Sequence, residues 1–244
     1  MEATVKKSVM AMCTAVVVSA AVHAEGPPPV EMELGAAVMS QYVWRGIRVH
    51  DETAFQPSLT LKSGDFSANA WADFAADDMV DDVTEIDYTL SYAFNAGEDV
   101  AMELGYIHYT FDNDFDDTGE VYLAASLPNV MLEPSATLYY DVVEAEGAYL
   151  SLGAGYAMPL GEEAELSLSG SVGIMDAEQA DFYMGVDEAG ISDAAVTVEI
   201  GMDLTESLSM SVSGTYSIIV DDDYRDNMTD EDNFVFGVGF SYAF

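Results

Sequence analysis

"NFVFGVGFSYAF", residues 233–244, decides the fold. Side chains of an extended chain alternate between two faces, so Phe234, Phe236, Val238, Phe240, Tyr242 and Phe244 share one face. Val235, Gly237, Gly239, Ser241 and Ala243 share the other. A wholly apolar face next to a face of small groups cannot be left in water without inviting aggregation. A strand of this kind ending on Phe is what outer-membrane barrels present to their insertion machinery. Phe240, Tyr242 and Phe244 are therefore read as an assembly signal as well as a lipid-facing edge.

Working back from that strand, the same alternation recurs. Ile86, Tyr88, Leu90, Tyr92 and Phe94 interleave with Glu85, Asp87, Thr89 and Ser91. Leu166, Leu168, Val172 and Ile174 interleave with Glu165, Ser167, Ser169 and Ser171. About twelve such runs are centred near residues 39, 59, 70, 89, 105, 123, 136, 152, 169, 198, 213 and 239. Their connections alternate in kind. "SGD", "NAGED", "PN", "PLGEE" and "TES" are short turns; "AADDMVDDVT", "DNDFDDTG", "DVVEAEG", "DAEQADFYMGVDEAG" and "VDDDYRDNMTDED" are long and acidic. A soluble sandwich or lipocalin-like barrel gives alternating strands too, but it does not need short and long connections in regular succession. The pattern predicts an all-β protein, a transmembrane up-and-down antiparallel β-barrel of about twelve strands over residues 32–244, with both termini at the short-turn end. In a barrel this small the lipid-facing surface takes the place of an apolar core.

Residues 1–24 read as a cleaved signal peptide: Lys6 and Lys7 precede the apolar "VMAMCTAVVVSAAV", and Val22 and Ala24 sit where a peptidase expects small residues. A Pro-rich lead-in, 25–31, follows. Cys13, the sole cysteine, lies inside the signal, so no thiol or disulfide chemistry is expected of the mature chain. The expected location is the bacterial outer membrane, with its lipid as partner.

The chain carries 45 Asp+Glu against 6 Lys+Arg, a formal charge of -39. Nucleic acid is excluded as a partner, since phosphate contacts need a basic surface. On the expected lumen face the residues are small (Ser151, Gly153, Ser169, Ser211, Gly239) or acidic (Asp73, Glu85, Asp87, Glu103, Glu165, Glu199). "SQYVWRGIR", residues 40–48, stands out because it holds two of the few basic residues. Tyr42 and Trp44 are expected outward, in the aromatic girdle at the membrane interface with Phe94, Tyr106, Tyr140 and Tyr156. Arg45 then points into the lumen near its external mouth, where pairing with inward carboxylates narrows the passage. The candidate pore-lining set is Arg45, Lys62, Asp73, Asp87, Glu103 and Glu199.

These features predict passive diffusion of small solutes or ions with cation preference, because Asp/Glu rings raise local cation concentration. The alternative is a closed structural or surface-interaction barrel that displays its acidic loops. Those loops offer Asp112, Asp114 and Asp116 as candidate Ca2+ or Mg2+ ligands. An EF-type loop would want Gly and Glu where Asp117 and Leu123 stand. No enzyme is expected: apart from the signal, the histidines are His50 and His108, and neither accompanies a nucleophile motif.

The stretches "SQYVWRGIRVHDETAFQPSLTL", "DYTLSYAF", "LGYIHYTF" and "EVYLAASLPN" also resemble the TorF-type porins, a family largely of unknown function. The resemblance rests on Tyr42, Trp44, Arg45 and Gly46, then Gly105, Tyr106 and Tyr109, then Glu120 and Tyr122; Gln41 stands where the family pattern has Asp. It covers the first half of the chain and implies an outer-membrane barrel with a diffusion role. It supplies no substrate and no catalytic residue.

Overall fold

The computed structural model describes residues 28–76, 83–112, 115–228 and 231–244. The expected signal peptide and the start of the lead-in lie outside the described residues. Twelve strands close into one antiparallel barrel: β1 (Glu31–Met39), β4 (Ala54–Ser63), β5 (Phe66–Ala75), β6 (Val83–Ala96), β7 (Val100–Phe111), β8 (Thr118–Ser126), β9 (Ser135–Asp141), β10 (Ala148–Leu160), β11 (Ala164–Met175), β12 (Gly190–Asp203), β13 (Leu208–Ile219) and β14 (Asp232–Ala243). A further pair, β2 (Tyr42–Trp44) and β3 (Ile47–His50), forms a separate two-stranded sheet. Among the described residues the remaining elements are two short helices, α1 (Ala177–Met184) and α2 (Asp222–Asn227).

The barrel closes where β1 pairs with β14, from Glu33↔Ala243 to Met39↔Gly237. Closure removes every sheet edge, which a lipid environment requires because it offers backbone groups no other partner. The start of β1 and the end of β14 lie together at the short-turn end, where the Phe244 N–H donates to the Met32 carbonyl at 3.0 Å. The outward face is apolar: Leu90 is 64 % exposed, Phe236 57 % and Leu168 52 %. Phe240, Tyr242 and Phe244 are on this face, as are Tyr106, Tyr140 and Tyr156.

Two expectations need correction at the long-connection end. The long acidic connections at 176–190 and 220–232 are not the plain loops that their sequence predicts but contain α1 and α2. At eight and six residues these helices are too short to carry a helical period. Their caps are legible: the Asp176 carboxylate accepts from the Gln179 N–H at 2.9 Å, and Gly185 ends α1 with φ 70°. The expectation of no apolar core also fails, since Tyr149, Met175, Ala180, Met184, Ile219 and Tyr224 pack into a small buried cluster under the helices.

The third correction concerns Tyr42 and Trp44, which lie inside the barrel and not in the outer girdle. Met39 pairs directly with Ala54, so the wall closes between β1 and β4 without residues 40–53. That segment turns inward as a hairpin. Its tip is a two-residue turn between Trp44 and Ile47, with Arg45 at φ 48° and Gly46 at φ 83°. Positive φ at both central residues is the type I′ geometry, whose twist matches that of the flanking strands.

Candidate functional site: a hairpin clamped in the barrel mouth

The hairpin crosses the lumen and is fastened on several sides. Arg45 reaches β8, where Nη1 and Nη2 donate to the two Glu120 oxygens at 2.7 and 2.6 Å. Tyr109 on β7 donates to the same carboxylate at 2.8 Å. Glu120 is wholly buried. Three rings lie against the guanidinium: Tyr149 of β10 at 4.1 Å, Trp44 at 4.3 Å and Tyr139 of β9 at 4.7 Å. With the Gln179 amide set so that both its groups are satisfied, its oxygen accepts from Arg45 Nη1 at 3.3 Å and its nitrogen donates to the Gly147 carbonyl at 3.1 Å. Burial works against the Arg45 charge and the Glu120 carboxylate outweighs it, so the guanidinium is held protonated beyond its ordinary range.

On the far side, Asn233 of β14 donates to the Gly46 carbonyl at 3.2 Å. A Cβ on Gly46 would stand 2.7 Å from Ile219 and 2.8 Å from Asp193, so the tip fits the wall only as glycine. The base of the hairpin is held by His50, whose Nε2 lies 2.7 Å from the Asp73 carboxylate. Tyr42 packs on inward-facing Trp71 with ring centroids 5.5 Å apart. Trp44 stands 4.9 Å from Tyr183 of α1, so the helix caps the hairpin from outside.

The six candidate pore-lining residues fall at different levels and not in one ring. Arg45 is on the hairpin tip. Asp73 is fully buried at the outer level and also accepts from Gln56 at 2.8 Å. Asp87 faces inward on β6, and one of its oxygens is buried without a hydrogen-bond partner. Glu103, nearer the short turns, accepts from Tyr122 at 2.6 Å. Glu199 is buried on β12, and Lys62 is exposed near the short-turn end of β4. Asp112 and Asp116 flank residues 113–114, so Asp114 lies outside the described residues. Among the described residues, no three His, Cys, Asp or Glu side chains are grouped to hold a metal ion.

Sequence reading missed His50, Tyr139, Tyr149, Asp193 and Asn233. A signal was available. Tyr139 and Tyr149 fall on the same alternation as Thr137, Asp141, Ser151 and Gly153, which is the lumen side. Bulky rings among small groups must pack on something inside the barrel.

The sequence profile of a family described as "Bacterial protein of unknown function (Gcw_chp)" matches residues 23–229. No curated protein matches the chain. Among solved structures, the NanC porin is similar with a TM-score of 0.54 at 9 % identity, over 86 % of this chain and 98 % of that one. The KdgM porin is similar with a TM-score of 0.54 at 12 % identity, over 88 % and 99 %. A second KdgM structure, in complex with disordered oligogalacturonate, gives 0.53 at 11 % identity, over 88 % and 99 %. At these identities the likeness is one of fold.

Proposed function

The chain belongs to the Gcw_chp family of bacterial proteins of unknown function, and on that premise we propose that it is an outer-membrane, porin-like barrel for passive diffusion of small solutes or ions, with a preference for cations. It is a channel and not an enzyme. The resemblance of its first half to TorF-type porins supports the same reading. Export through a cleaved signal at 1–24 and insertion through the Phe240, Tyr242 and Phe244 edge complete it.

The observation that carries the cation preference is the sign of the lumen. Asp73, Glu85, Asp87, Glu103 and Glu199 all face inward, Arg45 and Glu120 are spent on each other, and the other basic side chains inside are Arg48 on the hairpin and Lys62 near the short turns, fewer than the carboxylates. Carboxylates in a low-dielectric channel attract cations and repel anions. Oligogalacturonate, found with the KdgM porin, is a polyanion, and this lumen has the wrong sign for it.

The second reading is a closed barrel that displays its acidic loops, with Ca2+ or Mg2+ as their ligand. It is favoured by the hairpin, which reaches from β5 across to β12. Single-channel recording of the folded barrel in a planar bilayer under a salt gradient separates the two. Discrete steps with a reversal potential biased toward cations support the porin reading. Silence from folded barrel supports the closed one, and anion bias overturns the cation preference.

A further inference from the structure

We propose that Arg45 is the resident occupant of a cation-recognition site in the barrel wall, and that this site takes guanidinium-bearing solutes when the hairpin leaves it. The porin-like reading supplies the route by which such a solute arrives; the recognition itself stands on geometry.

The receptor half of the site belongs to the wall. Glu120, Tyr109, Tyr139 and Tyr149 come from β8, β7, β9 and β10, four strands that neighbour one another in the sheet. The strands that carry them are held to one another by their own ladders, in which Arg45 takes no part. The carboxylate faces the cation with both oxygens, at 2.7 and 2.6 Å, and Tyr109 fixes its orientation at 2.8 Å. Paired parallel donors are the signature of a guanidinium; a primary ammonium cannot supply that planar fork. The rings of Tyr149 and Tyr139, at 4.1 and 4.7 Å, suit a flat, weakly hydrated cation.

The occupant half is separable. β2 and β3 pair only with each other, and Met39↔Ala54 closes the wall behind them. The hairpin can move outward without breaking a barrel ladder. Its departure alone would take from Glu120 its charged partner and release the contacts of Gly46 with Asn233 and of His50 with Asp73, which is costly. Departure coupled to arrival of another guanidinium keeps the carboxylate paired, so the site exchanges like for like. Arg45 also sits at φ 48°, a conformation non-glycine residues seldom adopt, and leaving the turn relieves it.

The test uses the folded full barrel in detergent with Trp71→Phe, which leaves Trp44 as the sole tryptophan, stacked on the Arg45 guanidinium. Ethylguanidinium chloride and ethylammonium chloride are titrated at matched ionic strength while Trp44 emission is followed. A saturable change with ethylguanidinium, about tenfold or more weaker with ethylammonium, is expected from the loss of a charge-assisted hydrogen bond. Equal or non-saturating responses overturn the proposal. Removing the competitor gives a second readout: by calorimetry, Arg45→Ala binds ethylguanidinium more tightly than the parent, and adding Glu120→Gln weakens that binding about tenfold or more. Unchanged affinity in either step also overturns it. A barrel that binds but never conducts defeats the porin reading alone. One that conducts without discriminating the two cations defeats this inference alone.

Discussion

At the scale of single residues, the energetics turn on one buried ion pair. Arg45 and Glu120 have given up their hydration, and what holds each in the interior is the other. Removing one partner is therefore worse than removing both. Arg45→Ala is expected to lower the unfolding free energy by about 3–5 kcal/mol, because it strands a buried carboxylate. Arg45→Met combined with Glu120→Met should recover most of that loss, since apolar groups of similar volume can replace a buried pair at little cost. Urea titrations of the folded barrel followed by tryptophan emission check both values, and a double variant no more stable than the single one would contradict the account. Gly46 is a sharper local constraint. Gly46→Ala meets an unfavourable φ and two wall atoms within 2.8 Å, and is expected to cost about 1–3 kcal/mol in the same assay.

At the scale of elements, the strands were legible because each shows lipid one face and the lumen the other, and that difference prints a period of two on the sequence. The closing strand shows it most fully, and its parity is correct to the last residue. The hairpin was not legible for the same reason. Tyr42, Val43 and Trp44 alternate as a wall strand does, so period alone extended β1 beyond Met39 and turned two rings toward lipid. The positive φ values at Arg45 and Gly46 were hidden as well, since Arg is an unusual first residue for a type I′ turn. What sequence could have shown is the conflict of parity: Trp71, Tyr109, Tyr122, Tyr139 and Tyr149 all fall on the lumen side. The resemblance motifs carry the same message once folded. Trp44 from one motif meets Tyr109 from the second, Arg45 meets Glu120 from the third, and Tyr122 lies over Gly105, where a Cβ would strike its ring. Two experiments belong here. Leu168→Lys, on the outer face, should cost about 2–4 kcal/mol in a bilayer, while its neighbour Ser169→Lys on the lumen face costs far less; refolding titrations into lipid vesicles compare them. Replacing residues 41–52 by a Gly-Ser linker should leave the barrel folded, because Met39↔Ala54 remains, and should raise single-channel conductance severalfold.

At the scale of the whole molecule, the question is how so acidic a chain tolerates a closed barrel. Part of the answer is distribution. Many carboxylates sit on the long connections in solvent, and of those inside, several accept a hydrogen bond or face a cation: Asp73 from His50 and Gln56, Glu103 from Tyr122, Glu120 from Arg45. The remaining inward charge acts on whatever passes. That field decays over the Debye length, about 10 Å at 0.1 M salt and about 3 Å at 1 M, so its grip on mobile ions depends on the bath. Cation preference from reversal potentials should therefore be strong at low ionic strength and fall toward the free-solution ratio of mobilities in molar salt. If the preference came from the hairpin acting as a narrow sieve, it would persist at high salt, because size is not screened. Asp87→Asn together with Glu199→Gln should weaken the low-salt preference with little change at molar salt, whereas deleting the hairpin should raise conductance at both. A preference indifferent to salt and to these two carboxylates would move the selectivity from the charged wall to the clamped hairpin, and make the Arg45–Glu120 contact the element that chooses.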